Sequence, residues 1–473
     1  MTLAEAERQA RAQKRKGWVA AWPAVQLVVA TVFLALPAIY NGFPLLYPDS
    51  MTYLDDGRIV ARALFLHHFS DYYGVRSFFY SLVILPFHCN RTAWPIVALQ
   101  CFLLAFVLRL VCRSIVPRMV PACYLALVLF LSLFTSAGWF SSLILPDVLG
   151  SILYLSIFLL AFAGETLSRV ERLALSGIAF WGVASHASHL LLAAALCLPI
   201  ATMLAVQCQP VRRILRIIGE IAAIVAIAAA SQLALHAYLY GHPSLNGERP
   251  PFLMARVVSD GPGRWYLEKH CASLQWTICR HLQNLSDDPD IFLWSPDGLW
   301  QTASEEEQQR LRREEMPLVF AVLRAYPIEQ LRYSASNFWL QLRFFGIYDL
   351  DPSSWVQNQF DTVMPAAHAG YLRSMQARNA LPLELLTTLQ FWVVIGSLLL
   401  IAIFSPLLGS ARPARLASLT ALVAFVVVVN AAITGVLSMP EDRFQSRVIW
   451  MVPLVAQLYV LAWFRKSHFG GSR

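Results

Sequence analysis

The sequence predicts an all-α polytopic membrane protein with about ten transmembrane helices, interfacial helices in the first external loop, and an external, mainly helical insertion. Hydrophobic residues make up 57% and charged residues 14% of its 473 residues, whereas ordinary soluble chains have about 45–50% and about 25%. Apolar runs of about 20 residues, enough to cross a bilayer core, recur along the chain. Lys and Arg also collect in short connecting segments, as they do on the cytoplasmic side of membrane proteins.

The apolar runs give the predicted spans. They cover residues 18–40, 94–111, 119–137, 147–164, 173–186, 189–207, 214–239, 388–407, 415–437 and 447–464. The pair at 173–186 and 189–207 also fits a hairpin that does not cross the bilayer completely.

Basic residues predict the orientation, because Lys and Arg accumulate in cytoplasmic segments. Those on this predicted side are Arg8, Arg11, Lys14, Arg15, Lys16, Arg113, Arg118, Arg169, Arg172, Arg212, Arg213, Arg216, Arg412, Arg415, Arg465 and Lys466. We therefore expect a multi-pass protein of the cytoplasmic (inner) membrane with both termini cytoplasmic. The formal charge of +8 mostly reflects this topology, so it indicates neither nucleic acid nor an acidic partner. The first apolar run is too long for a cleavable signal peptide.

This orientation divides the chain into three parts. Residues 1–239 form an N-terminal transmembrane module whose first external loop covers 41–93. Residues 240–387 form an external or periplasmic insertion, and residues 388–473 form the C-terminal transmembrane helices. In the first loop, "GRIVARALFLHHFSDYYG" is typical of an interfacial helix and "SFFYSLVILPFH" is too short to span. The aromatic segment "SASNFWLQLRFFG" of the insertion is suited to rest on the bilayer.

Two of the eight cysteines are candidates for a disulfide. Cys271 and Cys279 lie eight residues apart in the external insertion, so they would pair if the compartment is oxidising. Cys89 is a lone external thiol. The other five suit small buried roles in spans or at cytoplasmic ends.

The stretch "LYPDSMTYLDDGR" places three acids directly after the first predicted span. Asp49, preceded by Pro48, fits either a helix start with an acid near the positive end of the dipole or a general base in a cavity. Asp55 and Asp56 fit a solvated helix end near Gly57.

A second external acid, Asp147, opens the fourth predicted span after Pro146. It fits a helix cap equally well as a carboxylate facing a polar cavity, where intramembrane charges are functional candidates.

The motif "SHASH" sets His186 and His189 three residues apart at an external hairpin. One helix face would then carry both imidazoles, which suits the polar lining of a cavity, an anion contact, or metal ligation. No neighbouring motif supplies a third and fourth metal ligand.

External arginines are the remaining candidates. In "PEDRFQSRVIW", Arg443 and Arg447 lie four residues apart against the positive-inside trend. Two guanidinium groups on one helix face suit a phosphate, although an ion-pair network with Glu441, Asp442 or first-loop acids is the alternative. Arg76 is a second external cation of this kind.

These external carboxylates and arginines at membrane depth suit a lipid-phosphate substrate. The arrangement resembles the GT-C class of integral-membrane glycosyltransferases, which use polyprenyl-phosphate-linked sugars on the external face; this chain would be a divergent member. The resemblance covers roughly residues 18–207 and, loosely, 440–447, whereas the insertion 240–387 matches nothing in the class.

The resemblance implies site residues. Asp49 falls at the first-loop catalytic Asp of the class, and Asp147 at its second external acid. Where the class commonly has Asp-Glu followed by a Tyr, this chain has Asp49-Ser50 followed by Tyr53; a lysine often found near the following hairpin is replaced by "SHASH". The substrate-binding candidates are Tyr53, Arg76, His186, His189, Arg443 and Arg447.

The implied function is transfer of a sugar from a polyprenyl-phosphate donor to an envelope glycan, lipid or protein. Asp49 would act as general base while external arginines hold the lipid phosphate. No cofactor is expected, because the polyprenyl phosphate is already a good leaving group, and no motif supports a divalent metal. The alternatives are a transporter or flippase of a lipid-linked or envelope substrate, and a non-catalytic envelope assembly protein.

Overall fold

The structure, a computed structural model, describes residues 23–70, 76–245 and 247–469. The basic residues from Arg8 to Lys16 and the beginning of the first predicted span lie outside these ranges. The chain is 79% helical, and no strand occurs among the described residues. The predicted all-α class is therefore confirmed.

The helices are numbered here in chain order. The first eleven are α1 (Pro23–Leu34), α2 (Leu36–Asn41), α3 (Pro48–Leu66), α4 (Phe78–His88), α5 (Trp94–Ile115), α6 (Pro121–Phe134), α7 (Ser136–Ser142), α8 (Asp147–Phe162), α9 (Arg169–Ala184), α10 (Ala187–Val206) and α11 (Val211–Tyr240). The next eight are α12 (Phe252–Ser259), α13 (Pro262–His270), α14 (Pro289–Trp294), α15 (Leu299–Thr302), α16 (Glu305–Ala325), α17 (Pro327–Arg343), α18 (Ser354–Val363) and α19 (Pro365–Leu372). The last four are α20 (Leu383–Leu408), α21 (Ala414–Leu437), α22 (Asp442–Ile449) and α23 (Met451–Phe469).

Within the described residues, six helices are long and apolar enough to cross a membrane, or up to seven if the bent pair α6 and α7 forms one span. The six are α5, α10, α11, α20 with its extension to Ala411, α21, and α22 joined to α23 from Asp442 to Ser467. The chain is thus an all-helical protein suited to cross a lipid bilayer several times, while the predicted count of about ten spans is not confirmed.

Several predicted spans differ because their helices are short or broken. The segment 147–164 forms α8, whose 16 residues are all buried and extend about 24 Å, less than the ~30 Å of a bilayer core. The segment 173–186 lies in α9, also 16 residues long. The run 119–137 bends by 80° between α6 and α7. At this bend Thr135 has extended backbone angles, and its side chain accepts a hydrogen bond from Ala137 N.

The buried helix α8 lies at the centre of the main hydrophobic core and packs against α5, α9 and α22. Two glycines allow this close packing. A Cβ at Gly150 of α8 would lie 2.9 Å from Nε2 of His189, and one at Gly182 of α9 would lie 3.0 Å from Cβ of Leu153. The central helix therefore brings its N-terminal Asp147 into the middle of the bundle.

The basic segments that were predicted to share one side of the membrane do meet at one end of the bundle. Arg113 binds Glu171 at 2.8 Å, and Arg213 binds Glu165 at 2.7 Å. Arg415, from the basic segment between α20 and α21, donates to the carbonyl oxygens of Phe162 and Ser114 and lies 3.9 Å from Glu165. Loops 41–93, 240–387 and 440–447 instead contact one another in the site described below.

The insertion has two parts that pack differently. Residues between Met254 and Val322 form a hydrophobic core of their own, and Cys271 and Cys279 are joined by a disulfide beside it. Residues between Ile347 and Tyr371 belong to the main core instead. Phe360, for example, packs its ring against those of Phe43 and Tyr371 at 6.1 and 4.8 Å.

The C-terminal end of α3 and the residues after it contact α11. The His67 ring lies 3.0 Å from the Tyr238 hydroxyl, and the Phe69 ring packs against the Tyr238 ring. Phe65 and Leu66 are exposed. The interfacial placement of α3 itself stays a prediction.

Candidate active site

The segment before Asp49 is fixed by backbone pairing. Leu45 N donates to Ser142 O, and Ile144 N donates to Leu45 O, both at 3.0 Å. The buried amide of Gln376 then binds both backbone groups of Leu46, donating at 2.6 Å and accepting at 3.1 Å. This clasp holds the start of α3 against the bundle.

Asp49 lies in the first turn of α3. Pro48 occupies the first helical position, where its missing N–H costs nothing, and Ser50 Oγ accepts from Tyr47 N at 2.9 Å. The Asp49 carboxylate accepts from Arg76 at 2.5 Å and from Arg443 at 3.3 Å. It is therefore a helix-start acid that is also bound by two guanidinium groups from distant segments.

Arg443 is surrounded by acids. Its guanidinium binds Asp49 and, at 3.1 Å, Glu441, while its backbone N–H donates to Asp349 at 2.6 Å. The ring of Tyr47 covers the guanidinium at 4.2 Å. Three carboxylates thus converge on one arginine, more negative charge than its side chain balances.

The surplus charge and burial shift the titration of two of these acids. Burial raises the pKa of Glu441 to about 7; Arg443 opposes the rise, and three nearby carboxylates add to it, those of Asp349, Asp290 and Asp49. Burial likewise raises the pKa of Asp349 to about 6, again opposed by Arg443. Burial therefore moves the pKa of both groups toward neutral pH, the range in which general acids and bases work.

The second pair of an acid and an arginine, Asp147 and Arg447, is more deeply buried. Arg447 is completely buried and binds Asp147 at 3.3 Å. Its remaining hydrogen bonds go to Asn430 Oδ1, at 2.9 and 3.3 Å, and to Ser188 Oγ, at 3.1 Å. Each nitrogen of the Arg447 guanidinium thus has a partner within the protein.

Both acid–arginine pairs take their arginine from the same helix, α22. Arg443 and Arg447 are four residues apart in α22, a rise of about 6 Å, so Asp49 and Asp147 bind successive turns of the same helix. Both guanidiniums also lie over the Phe444 ring, at 4.8 and 5.6 Å.

The histidines of "SHASH" lie beside Arg447. Their rings are 5.2 Å apart. His189 Nδ1 lies 2.9 Å from the Gly182 carbonyl, and His186 Nδ1 lies 2.8 Å from Ser188 Oγ. Burial, reinforced by His189 and Arg447, lowers the pKa of His186 well below its usual range. Among the described residues, no group of three or more His, Cys, Asp or Glu side chains is arranged to hold a metal ion.

A cavity adjoins Arg76, the partner of Asp49, and its wall is more apolar than polar. It encloses about 140 Å³, or about 690 Å³ with its open mouth, and Tyr53, Arg76 and His186 are part of its wall. The further polar and aromatic wall residues are Ser77, Phe78, Phe79, Ser185, Gln232, His236, Arg249 and Phe252. Within the wall, Arg249 is bound to Glu315 at 3.2 Å, whereas Arg76 connects the cavity directly to the Asp49 carboxylate.

Helix α14 of the insertion also contacts this site. The Arg76 guanidinium lies 5.3 Å over the Trp294 ring of α14, and Asp290 of α14 contributes to the charge around Glu441. Asp349, Asp290 and Arg249 were not singled out in the sequence. Their local sequence gave no signal, since "IYDLDPSS" offers two acids and only the fold decides that Asp349 meets Arg443.

Comparisons with protein-family models, curated proteins and solved structures found no match to this chain. The fold and the site define a class by themselves: an all-helical, multi-pass membrane protein with a buried cluster of arginines and carboxylates beside a cavity.

Proposed function

We propose that the protein is a GT-C-type glycosyltransferase that moves a sugar from a polyprenyl-phosphate donor to a cell-envelope acceptor on the external face of the cytoplasmic membrane. The observation that carries the proposal is the Asp49 carboxylate, bound between Arg443 and Arg76, the latter of which is part of a cavity wall. A positioned base, a cation beside it and room for a substrate are what glycosyl transfer from a lipid phosphate requires.

In this reaction an acceptor hydroxyl or amine attacks the anomeric carbon of the donor sugar. The bond between that carbon and the phosphate oxygen breaks, and its electron pair stays on the polyprenyl phosphate. Asp49 takes the proton from the acceptor. The basic requirement is that the acceptor atom lies within hydrogen-bond reach of this carboxylate in the bound state.

Arg76 is the arginine best placed to contact the donor phosphate, since its side chain is part of the cavity wall. The earlier expectation that Arg443 and Arg447 hold the phosphate stays a prediction. All three arginines bind carboxylates, but Arg443 and Arg447 are not part of the cavity wall. We propose instead that these two arginines position the acids.

Two features support an external site. The basic segments meet near the C-terminal end of α8, where Arg415 donates to Phe162 O, whereas Asp147 of the acid cluster lies at the N-terminal end of the same helix. This separation is in line with the positive-inside rule. The disulfide between Cys271 and Cys279 lies in the insertion that contacts the site, and disulfides persist in oxidising compartments. Both termini are cytoplasmic in this proposal.

A transporter or flippase is the second candidate, because a cavity within a bundle also suits a translocated substrate. The position of the acids favours the transferase: Asp49 and Glu441 lie at helix starts, not in the middle of the spanning helices.

The test uses the purified protein in proteoliposomes. The donors are polyprenyl phosphates carrying single radiolabelled hexoses or pentoses, offered with an envelope extract as acceptor. Release of free polyprenyl phosphate together with a labelled acceptor supports the transferase. Movement of intact labelled lipid between leaflets, without cleavage of the sugar–phosphate bond, contradicts it and supports the flippase.

A further inference from the structure

The helix α17 has an apolar stripe that points away from the protein. Ile328, Leu331 and Trp339 are 76%, 71% and 53% exposed. With Ala335, also exposed, they recur every three to four residues and so lie on one helix face. In a helix of a water-soluble domain this face would be the buried one.

The opposite face of α17 is polar and points inwards. Gln330, Ser334, Asn337 and Gln341 share this face by the same spacing, and Gln341 is completely buried. Its amide donates to Glu441 O at 2.8 Å and accepts from Glu441 N at 3.0 Å.

The other amides of this face have partners as well. Gln330 Nε2 and Asn337 Nδ2 both donate to the buried carboxylate of Asp260, at 2.8 and 2.9 Å. The amide N–H groups of Gln330, Asn337 and Gln341 therefore all donate to protein groups, although Gln330 Oε1 is buried without a partner among the described residues. The helix is inverted relative to the usual pattern of apolar inside and polar outside.

The packing places α17 beside a helix able to span the membrane. It lies along α21, and the approach is close because Gly435 has no side chain: a Cβ there would lie 2.8 Å from Asn337 O and 2.9 Å from Gln341 Cβ. Small residues that allow such backbone contact are typical of helix pairs within membranes.

Neighbouring side chains extend the exposed apolar surface. Met316, Phe320 and Leu323 are exposed at helical spacing along the preceding helix, α16. At the C-terminal end of α17, the Arg343 guanidinium lies 4.7 Å over the exposed Trp339 ring. Tryptophan and arginine are favoured at the level of lipid headgroups, where an apolar body and a polar tip are both satisfied.

We propose that the outer face of α17 is a lipid-contacting surface, with Ile328, Leu331 and Trp339 directed at the bilayer. Its overall polarity, due to the inward amides, hides this helix from a hydropathy search. Exposing so much contiguous apolar side chain to water is unfavourable, at roughly 25 cal/mol per Å², whereas acyl chains remove that cost. The proposal is independent of the transferase function, since it concerns only where the helix lies.

Spin-label accessibility tests it in the full-length protein reconstituted in liposomes. The four thiols that are not buried, Cys89, Cys123, Cys197 and Cys208, are first replaced by alanine. A nitroxide is then placed at Leu331→Cys, and in separate proteins at Ile328→Cys, at the exposed Glu306→Cys of α16, and at the exposed Leu398→Cys of α20.

The labels at 328 and 331 are expected to resemble the label at 398: accessible to oxygen, which partitions into lipid, and protected from a water-soluble nickel chelate. Two results overturn the proposal. Chelate accessibility equal to that at 306 means that the face is in water. Protection from both reagents means that a partner protein or a second copy covers it.

Discussion

The Asp49 carboxylate binds the Arg443 guanidinium at 3.3 Å although 394 residues separate them along the chain. This bond joins the first turn of α3 to the first turn of α22. Arg76 binds the other carboxylate oxygen of Asp49 at 2.5 Å. The chain thus brings a loop near its beginning and a helix near its end to one site, and the predictions below follow from how that site is charged.

Glu441 gives a pH dependence of stability. Its pKa is about 7 in the folded protein, above the ~4.3 of an exposed glutamate. Between these values Glu441 binds more protons in the folded state than in the unfolded state. Its contribution to the free energy of unfolding is therefore complete below pH ~4.3 and is lost as pH rises to about 7. We expect the Glu441→Gln variant to lose less stability across this window than the parent.

The measurement is the thermal unfolding midpoint in detergent between about pH 4 and 7, the window between the two pKa values of Glu441. Glu306→Gln, a substitution of an exposed glutamate on α16, is the matched control and should follow the parent. An identical pH slope in the parent and Glu441→Gln would show that Glu441 is not buried in its neutral form.

Arg443→Lys should lower transfer at least tenfold, because an ammonium cannot bind Asp49 and Glu441 together and cover the Tyr47 ring as a guanidinium does. The kinetic constants separate its two candidate roles. A loss in kcat with an unchanged donor KM indicates that Arg443 positions the acids, whereas a raised donor KM indicates a phosphate contact.

Arg58→Lys is the control for this substitution, since Arg58 forms a partly exposed ion pair with Asp55 at 2.7 Å. Such pairs contribute about 0–1 kcal/mol, so the control should behave like the parent. Parent-like kinetics in Arg443→Lys as well would remove Arg443 from the site.

The pair of Asp147 and Arg447 should show a strong mutational coupling. Asp147→Asn alone leaves a buried guanidinium without its counter-charge and should cost about 3–5 kcal/mol, while Asp147→Asn combined with Arg447→Met should recover part of that loss. A double-mutant cycle of unfolding midpoints measures this. Simple additivity of the two changes would contradict a paired, buried arrangement.

The sequence was informative where one residue type in one place has few explanations. Alternating basic loops predicted which segments meet, and Arg443 and Arg447 attracted attention because they opposed that pattern. An ion-pair network was one of the two interpretations of Arg443. The structure agrees with it, because Arg443 binds both Glu441 and the first-loop acid Asp49.

Other features depend on packing that no local pattern encodes. Hydropathy treats α8 as a span, but 16 residues buried on every side need not cross lipid. The aromatic segment 334–346 predicted contact with the bilayer, but no local pattern showed that the amides of α17 bind Asp260 and Glu441. Asp349 became part of the site only through the path of the chain after α17.

The central claim is that Asp49 accepts a proton in glycosyl transfer, and the most direct measurement is the turnover of Asp49→Asn in the proteoliposome assay. Asp55→Asn is the matched control, an acid on the same helix that pairs only with nearby Arg58 among the bonds described. We predict a loss of about 10²–10⁴-fold for Asp49→Asn, the typical contribution of a general base, with the parental rate in Asp55→Asn and normal yield of both proteins. Equal turnover in Asp49→Asn and the parent would contradict the account.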